Sequence, residues 1–190
     1  MKIKWGQTNT YQHLSPQELR KLLLEAKKHS ERDWLMLLVM YLHGLRVSEL
    51  TAITKSDVQG GNIRIQRLKN GYLNIHPMFE SDEVLMSEAG PMRRLASLAS
   101  EPGTKLFKIS RFQIYRLMRH YCELIGLPPE KCHPHVLRHS IAMHTIGPSG
   151  VHNVRQWLGQ RSISSTSHYL RASDEDAAAK VFAVIKPETI

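Results

Sequence analysis

The sequence has no run of about 18 consecutive apolar residues, which excludes a single membrane-spanning helix. Its longest apolar stretch, Trp34 to Leu42, suits a buried helix instead. The lysines at the N-terminus have no apolar signal-peptide core behind them, so export is not expected and a cytoplasmic setting is. Only two cysteines occur, Cys122 and Cys132, too few for a disulfide framework; both are expected as thiols in a reducing compartment. Neither a G-x-x-x-x-G-K-[ST] loop nor a G-x-G-x-x-G motif is present, and no carboxylate cluster suggests a two-metal nuclease. Internal repeats, low-complexity tracts and a convincing linker are also lacking, so 190 residues read as one domain. Acidic side chains are comparatively scarce: 17 Asp and Glu against 26 Lys and Arg give a formal charge of +9. That balance favours a polyanionic partner, because basic groups that neutralise phosphates release condensed counterions.

What is present is mostly helical patterning. Ser15-Pro16-Gln17-Glu18 has the form of a helix start, with Ser15 as cap, Pro16 in the first turn and Glu18 closing a capping box. Leu19, Leu22, Leu23 and Ala26 follow at helical spacing. A second helix is expected from about residue 30 to 43, with Gly44 as its stop, and a short one begins at Ser48-Glu49-Leu50. The period then changes. Residues 62–66 and 72–76 alternate polar and apolar around Lys69-Asn70-Gly71, which signals a β-hairpin. Further helices are expected near 80–87, 91–99, 110–125, 135–146, 151–158, 162–170 and 174–186. Pro128-Pro129 and Gly147-Pro148-Ser149-Gly150 punctuate them. The fold class is therefore α+β, mainly α-helical, with a small antiparallel sheet.

Three segments stand out in order: Gly44-Leu45-Arg46-Val47-Ser48-Glu49-Leu50, His135-Val136-Leu137-Arg138-His139, and Leu158-Gly159-Gln160 leading to Tyr169. Each alone is a weak signal, since an isolated Arg, an H-x-x-R turn or a helical Tyr is ordinarily surface or packing. Together they resemble the tyrosine recombinase (phage integrase) family. Its pattern runs from Arg in G-x-R-x-x-E-L, through a hairpin Lys, to H-x-x-R, L-G-H and a nucleophilic Tyr nine positions later. Here the hairpin lysine is Lys69, and Tyr169 lies nine positions beyond Gln160. The likeness covers roughly residues 13 to 186, with residues 1–12 as a lead-in and 13–190 as the catalytic domain.

The resemblance implies an enzyme that cuts and rejoins DNA through a 3′-phosphotyrosine and a free 5′-hydroxyl, by inversion, integration or excision. One phosphodiester is exchanged for another, so no cofactor is implied. Arg46 and Arg138 would clamp the scissile phosphate, since guanidinium forks donate paired hydrogen bonds to phosphate oxygens. Tyr169 would be the nucleophile, although a free phenol has a pKa of about 10. His135, with an ordinary pKa of about 6.5, would take its proton, and Lys69 would protonate the departing oxygen. Gln160 departs from the family, which usually has His or Trp there. An amide still donates a hydrogen bond but cannot exchange protons as imidazole does. A slower but competent site is expected; an inactive regulator that kept the fold is the alternative, and a related topoisomerase is a third.

Other features carry two readings. Lys105, Lys108, Arg111, Arg116 and Arg119 surround a helix that Ser110 can cap; they fit either phosphate contact or a solvated face. Cys122, Cys132, His133, His135 and His139 do not have zinc-site spacing, so no metal is expected. Ser173-Asp174-Glu175-Asp176 and the apolar positions after it read as a capped amphipathic helix; in the family such a segment often docks on a neighbour. The partners implied are double-stranded DNA and a homotetrameric synapse, with accessory DNA-bending proteins possible. Most family members carry a separate DNA-binding domain ahead of the catalytic one. Either an excised catalytic domain or a natural minimal form is implied here; the minimal form is the expectation, and Arg67-Leu68-Lys69-Asn70-Gly71 leading to His76-Pro77, together with residues 133–140, resembles the small invertases of fimbrial phase variation.

Overall fold

The computed structural model describes residues 12–67 and 72–160. Helix α1 (Pro16–His29) starts as its sequence dictates. The Glu18 amide donates to Ser15 Oγ at 3.2 Å, and the Glu18 carboxylate accepts from the Ser15 amide at 2.7 Å. Leu19, Leu22, Leu23 and Ala26 form its buried stripe. Helix α2 (Glu31–Leu42) is apolar nearly all round and is buried from Asp33 to Tyr41, packed between α1 and the last described helix. Trp34 has no exposed surface and donates its indole N–H to Leu85 O at 3.0 Å.

Gly44 ends α2 at φ +56°, and a Cβ there would lie 2.3 Å from a Leu158 methyl. The chain can therefore turn sharply and still let the end of the last helix approach. Helix α3 (Val47–Leu50) follows at once, as expected. An antiparallel sheet comes next, in the order β1 (Val58–Gln59), β2 (Asn62–Gln66), β3 (Leu73–Pro77). The β2–β3 register runs from Asn62 opposite Pro77 to Gln66 opposite Leu73, and the Arg67 amide continues it to Tyr72 O at 2.8 Å. The hairpin base is thus as expected; residues 68–71 at its turn lie outside the described residues. Strand β1 was not anticipated, because two residues are too few to carry a period.

Among the described residues, helices α4 (Ala89–Ser97), α5 (Arg111–Leu124) and α6 (His135–Trp157) follow. The helix expected over 80–87 is absent, and bends and turns occupy that stretch. Its polar groups are used elsewhere. Leu85 O serves Trp34, the Ser81 amide donates to Ser87 Oγ, and the Phe79 amide donates to the Glu88 carboxylate at 3.0 Å. Tertiary demand overrides local propensity there. The helices expected over 135–146 and 151–158 abut as α6, with Gly150 at φ 75°, ψ 155° marking the break between them. Those expected over 162–170 and 174–186 lie outside the described residues. Among the described residues no helix is long and apolar enough to cross a membrane.

The two strands of the hairpin use their alternation differently. Ile63 and Ile65 of β2 face the core, whereas Leu73 and Ile75 of β3 face outward and Asn74 and His76 face in. The inward polar side chains of β3 meet the end of α6, and that contact fixes the geometry of the site.

Candidate active site

Arg46 sits at the junction of α2 and α3, where its backbone is extended. Its amide donates to Glu49 Oε2 at 2.9 Å and its guanidinium to Glu49 Oε1 at 2.8 Å, with the side chain about a quarter exposed. Glu49 is fully buried. Its second oxygen also accepts from Arg67 Nη1 at 3.0 Å, so one carboxylate lies between two guanidinium groups. Burial alone would raise its pKa, but the Arg46 amide, the charges of Arg67 and Arg138 and the Arg46 fork together hold it below the ordinary carboxylate range.

Arg138 lies on the first turns of α6 and is buried. It donates to Gly44 O at 2.5 Å and to Leu158 O at 2.8 Å. It thereby ties the start of α6 to the turn before Arg46 and to the residue two before Gln160. His135 begins α6 and is exposed to solvent on one side. Crowding by protein, followed by the charges of Arg138 and Arg46, pushes its ring down to about 4; water at the open side moderates the first effect. His135 is therefore neutral near pH 7 and able to accept a proton. Its ring meets that of His139 edge-on, with centroids 4.5 Å apart.

A cavity of about 160 Å³ is lined by Leu45, Arg46, Val47, Ser48, Arg111, Tyr115, Pro134 and His135. The expected residues Arg46 and His135 are thus brought together, and Arg111 joins them from the first position of α5, beside its cap Ser110. Lys105, Lys108 and Arg116 are exposed and do not line this cavity. Gln160 lies at a second cavity of about 340 Å³, shared with Tyr72, Asn74, Arg155 and Gly159, and its backbone N–H donates to Arg155 O at 3.0 Å. Lys69 and Tyr169 fall outside the described residues.

Sequence reasoning gave no role to Ser48, Tyr115 or Arg67. The first two carry no sequence signal, because the cavity they line is assembled from three distant segments. Arg67 did carry one. It continues the inward series Ile63, Ile65, and period two alone places its side chain in the interior. A further buried cluster was also missed: His43 lies 2.7 Å from Glu88 and 3.1 Å from His76, and His76 stacks on Trp157 at 3.6 Å between centroids. Burial, then His43 and Arg67, pushes His76 down to about 3.

The Phage integrase family model matches residues 12–176. The chain is 31% identical over 170 residues to a tyrosine recombinase of Pseudothermotoga lettingae, covering 86% of this chain and 57% of that protein. It is 33% identical over 150 residues to the type 1 fimbriae regulatory protein FimE of Escherichia coli (strain K12), covering 73% of each. The crystal structure of XerA recombinase superposes with a TM-score of 0.72 at 22% identity, over 97% of this chain and 67% of that one. A lambda integrase tetramer bound to a Holliday junction has the same fold, with a TM-score of 0.62 at 19% identity over 80% of this chain and 47% of its own. The chain belongs to the phage integrase family, and its mainly helical domain with a three-stranded sheet is the tyrosine recombinase catalytic fold. It spans little more than half the length of the first of these relatives.

The buried histidines His76 and His139 generate a stability prediction. Both are pushed down to about 3, in each case first by burial. In the unfolded chain they titrate near 6.5. Above that pH both are neutral in both states. Below it the unfolded chain binds protons that the folded chain does not, so stability falls with falling pH. Urea unfolding at pH 7, 6 and 5 should give a midpoint that drops at each step; a flat or rising series contradicts the burial of these rings.

Proposed function

We propose that this chain is a site-specific DNA recombinase that cleaves and rejoins strands through a covalent bond to Tyr169. The observation that carries the reading is the meeting of Arg46, His135 and Arg111 around one small cavity, in a chain of this family whose buried Arg138 is bonded to the turn just before Arg46. The cavity's polar lining suits a phosphodiester, and its charges oppose the negative charge that grows on the phosphorus oxygens in the transition state.

In this mechanism the Tyr169 oxygen attacks phosphorus as its proton passes to His135. The bond to the 5′ oxygen breaks, and Lys69 supplies the proton that makes a 5′-hydroxyl. Arg46 holds the phosphate, Arg138 adds its positive charge from the buried place where it donates to Gly44 O and Leu158 O, and Gln160 adds an amide donor. Attack by a partner strand's 5′-hydroxyl reverses each step and releases Tyr169. Phosphoester count is conserved, so no nucleotide or metal is consumed. His135 is neutral before attack, and the approaching phosphate's negative charge raises its affinity for the tyrosine proton. Arg111, together with Lys105, Lys108 and Arg116 on the surface near α5, supplies contacts along the DNA backbone.

The arrangement of partners follows the same reading: duplex DNA as substrate, and four copies of the chain in the synapse, as in the lambda integrase tetramer.

Trapping on nicked duplexes, from DNA flanking the gene, tests the proposal. The wild-type chain should give a denaturant-resistant protein–DNA band that Tyr169→Phe abolishes. Binding by gel shift without any such band, over a wide set of sites, favours a regulator that kept the fold. Gln160→His should preserve or raise the cleavage rate, since imidazole adds proton exchange to the donor role; a lower rate contradicts the assigned role of Gln160.

A further inference from the structure

Arg67 has no place in the mechanism above, yet its side chain is wholly buried. Taking a guanidinium out of water is costly unless nearly all its donors are used. Arg67 uses them on four segments. It donates from Nη1 to Glu49 Oε2 at 3.0 Å, from Nη2 to His43 O at 3.2 Å and to Trp157 O at 2.7 Å, and from Nε to Asn74 Oδ1 at 3.2 Å. Gly159 makes room for it: a Cβ there would lie 2.7 Å from Arg67 Cγ. The glycine of the Leu158-Gly159-Gln160 segment is thus fitted to an arginine just past the end of β2.

We propose that Arg67 is a positioning residue for strand cleavage, acting through Glu49 on Arg46 and through the end of α6 on Arg138; this rests on the recombinase reading. Glu49 has two oxygens and two arginine partners. With Arg67 on Oε2, the carboxylate holds the Arg46 side chain by one bond from Nη1, and the pair of arginines around it retains a net positive charge. Without Arg67 the carboxylate is left with Arg46 as its ion-pair partner. A carboxylate and a guanidinium then favour the bidentate, charge-neutral arrangement, which withdraws the Arg46 fork from the phosphate. At the other end, the bond to Trp157 O fixes the residue next to Leu158, whose carbonyl holds Arg138.

Two variants test this. Arg67→Lys keeps a cation beside Glu49 but loses the fork. Gly159→Ala keeps Arg67 and displaces it. Each is assayed by thermal melting, by gel shift, and by single-turnover cleavage of two nicked duplexes. One duplex carries an ordinary scissile phosphate and the other a methylphosphonate, which lacks one charged oxygen and so depends less on the arginine pair. Both variants should melt cooperatively and bind DNA. Both should cleave the phosphate about 10²-fold more slowly, the scale of a small misplacement of a catalytic group. The deficit should shrink at least tenfold on the methylphosphonate. An equal deficit on both substrates, a wild-type rate on the phosphate, or failure of both variants to fold makes Arg67 merely structural and overturns the inference. An adduct with the wild type alongside any of these leaves the recombinase reading intact, whereas no adduct with the wild type removes both.

Discussion

The buried Glu49 carboxylate is bonded on one side to Arg46 and on the other to Arg67, and it accepts the Arg46 amide as well. Three parts of the chain therefore meet at one charge: the α2–α3 turn, the hairpin base, and, through Arg67, the end of α6. Breaking a buried pair by removing one partner costs about 3–5 kcal/mol, because the other charge stays buried and uncompensated. That is a large share of the roughly 5–15 kcal/mol that holds a typical domain folded. The carboxylate that aligns Arg46 is thus held by a buried partner, Arg67, whose loss is costly to the fold.

Arg138 repeats this logic with backbone carbonyls in place of a carboxylate. Its bonds to Gly44 O and Leu158 O join two glycine-bearing motifs that are more than a hundred residues apart in sequence. Close approach is possible because neither Gly44 nor Gly159 carries a Cβ. The histidines add no permanent charge to this cationic interior. His135, His139 and His76 are all held neutral near pH 7, so the positive field comes from arginine and does not vary with modest changes of pH.

Much of this was legible in the sequence, and the failures have physical causes. The α1 capping box, the buried run of α2 and the alternation of the hairpin are local signals, and local geometry realised them. The motif arginines and His135 were recognisable by spacing, and Arg46 and His135 do converge on one cavity. The stretch over 80–87 reads as helical in the sequence because the group that takes its Leu85 carbonyl, the Trp34 indole, comes from elsewhere in the fold. The outward face of β3 was illegible for a related reason: Asn74 and His76 turn inward to meet Arg67 and Trp157, contacts that no period encodes. Arg67 itself was readable from its place after Ile63 and Ile65, but a charged residue in a strand is ordinarily assigned to solvent.

The central claim is that one carboxylate couples the hairpin base to the end of α6. Native-state hydrogen exchange of Glu49→Gln tests it directly. The account predicts that protection falls together at the Arg67, Leu158 and Gln160 amides while the α1 amides from Leu22 to Ala26 keep theirs. Loss confined to the α2–α3 turn around position 49 would contradict it.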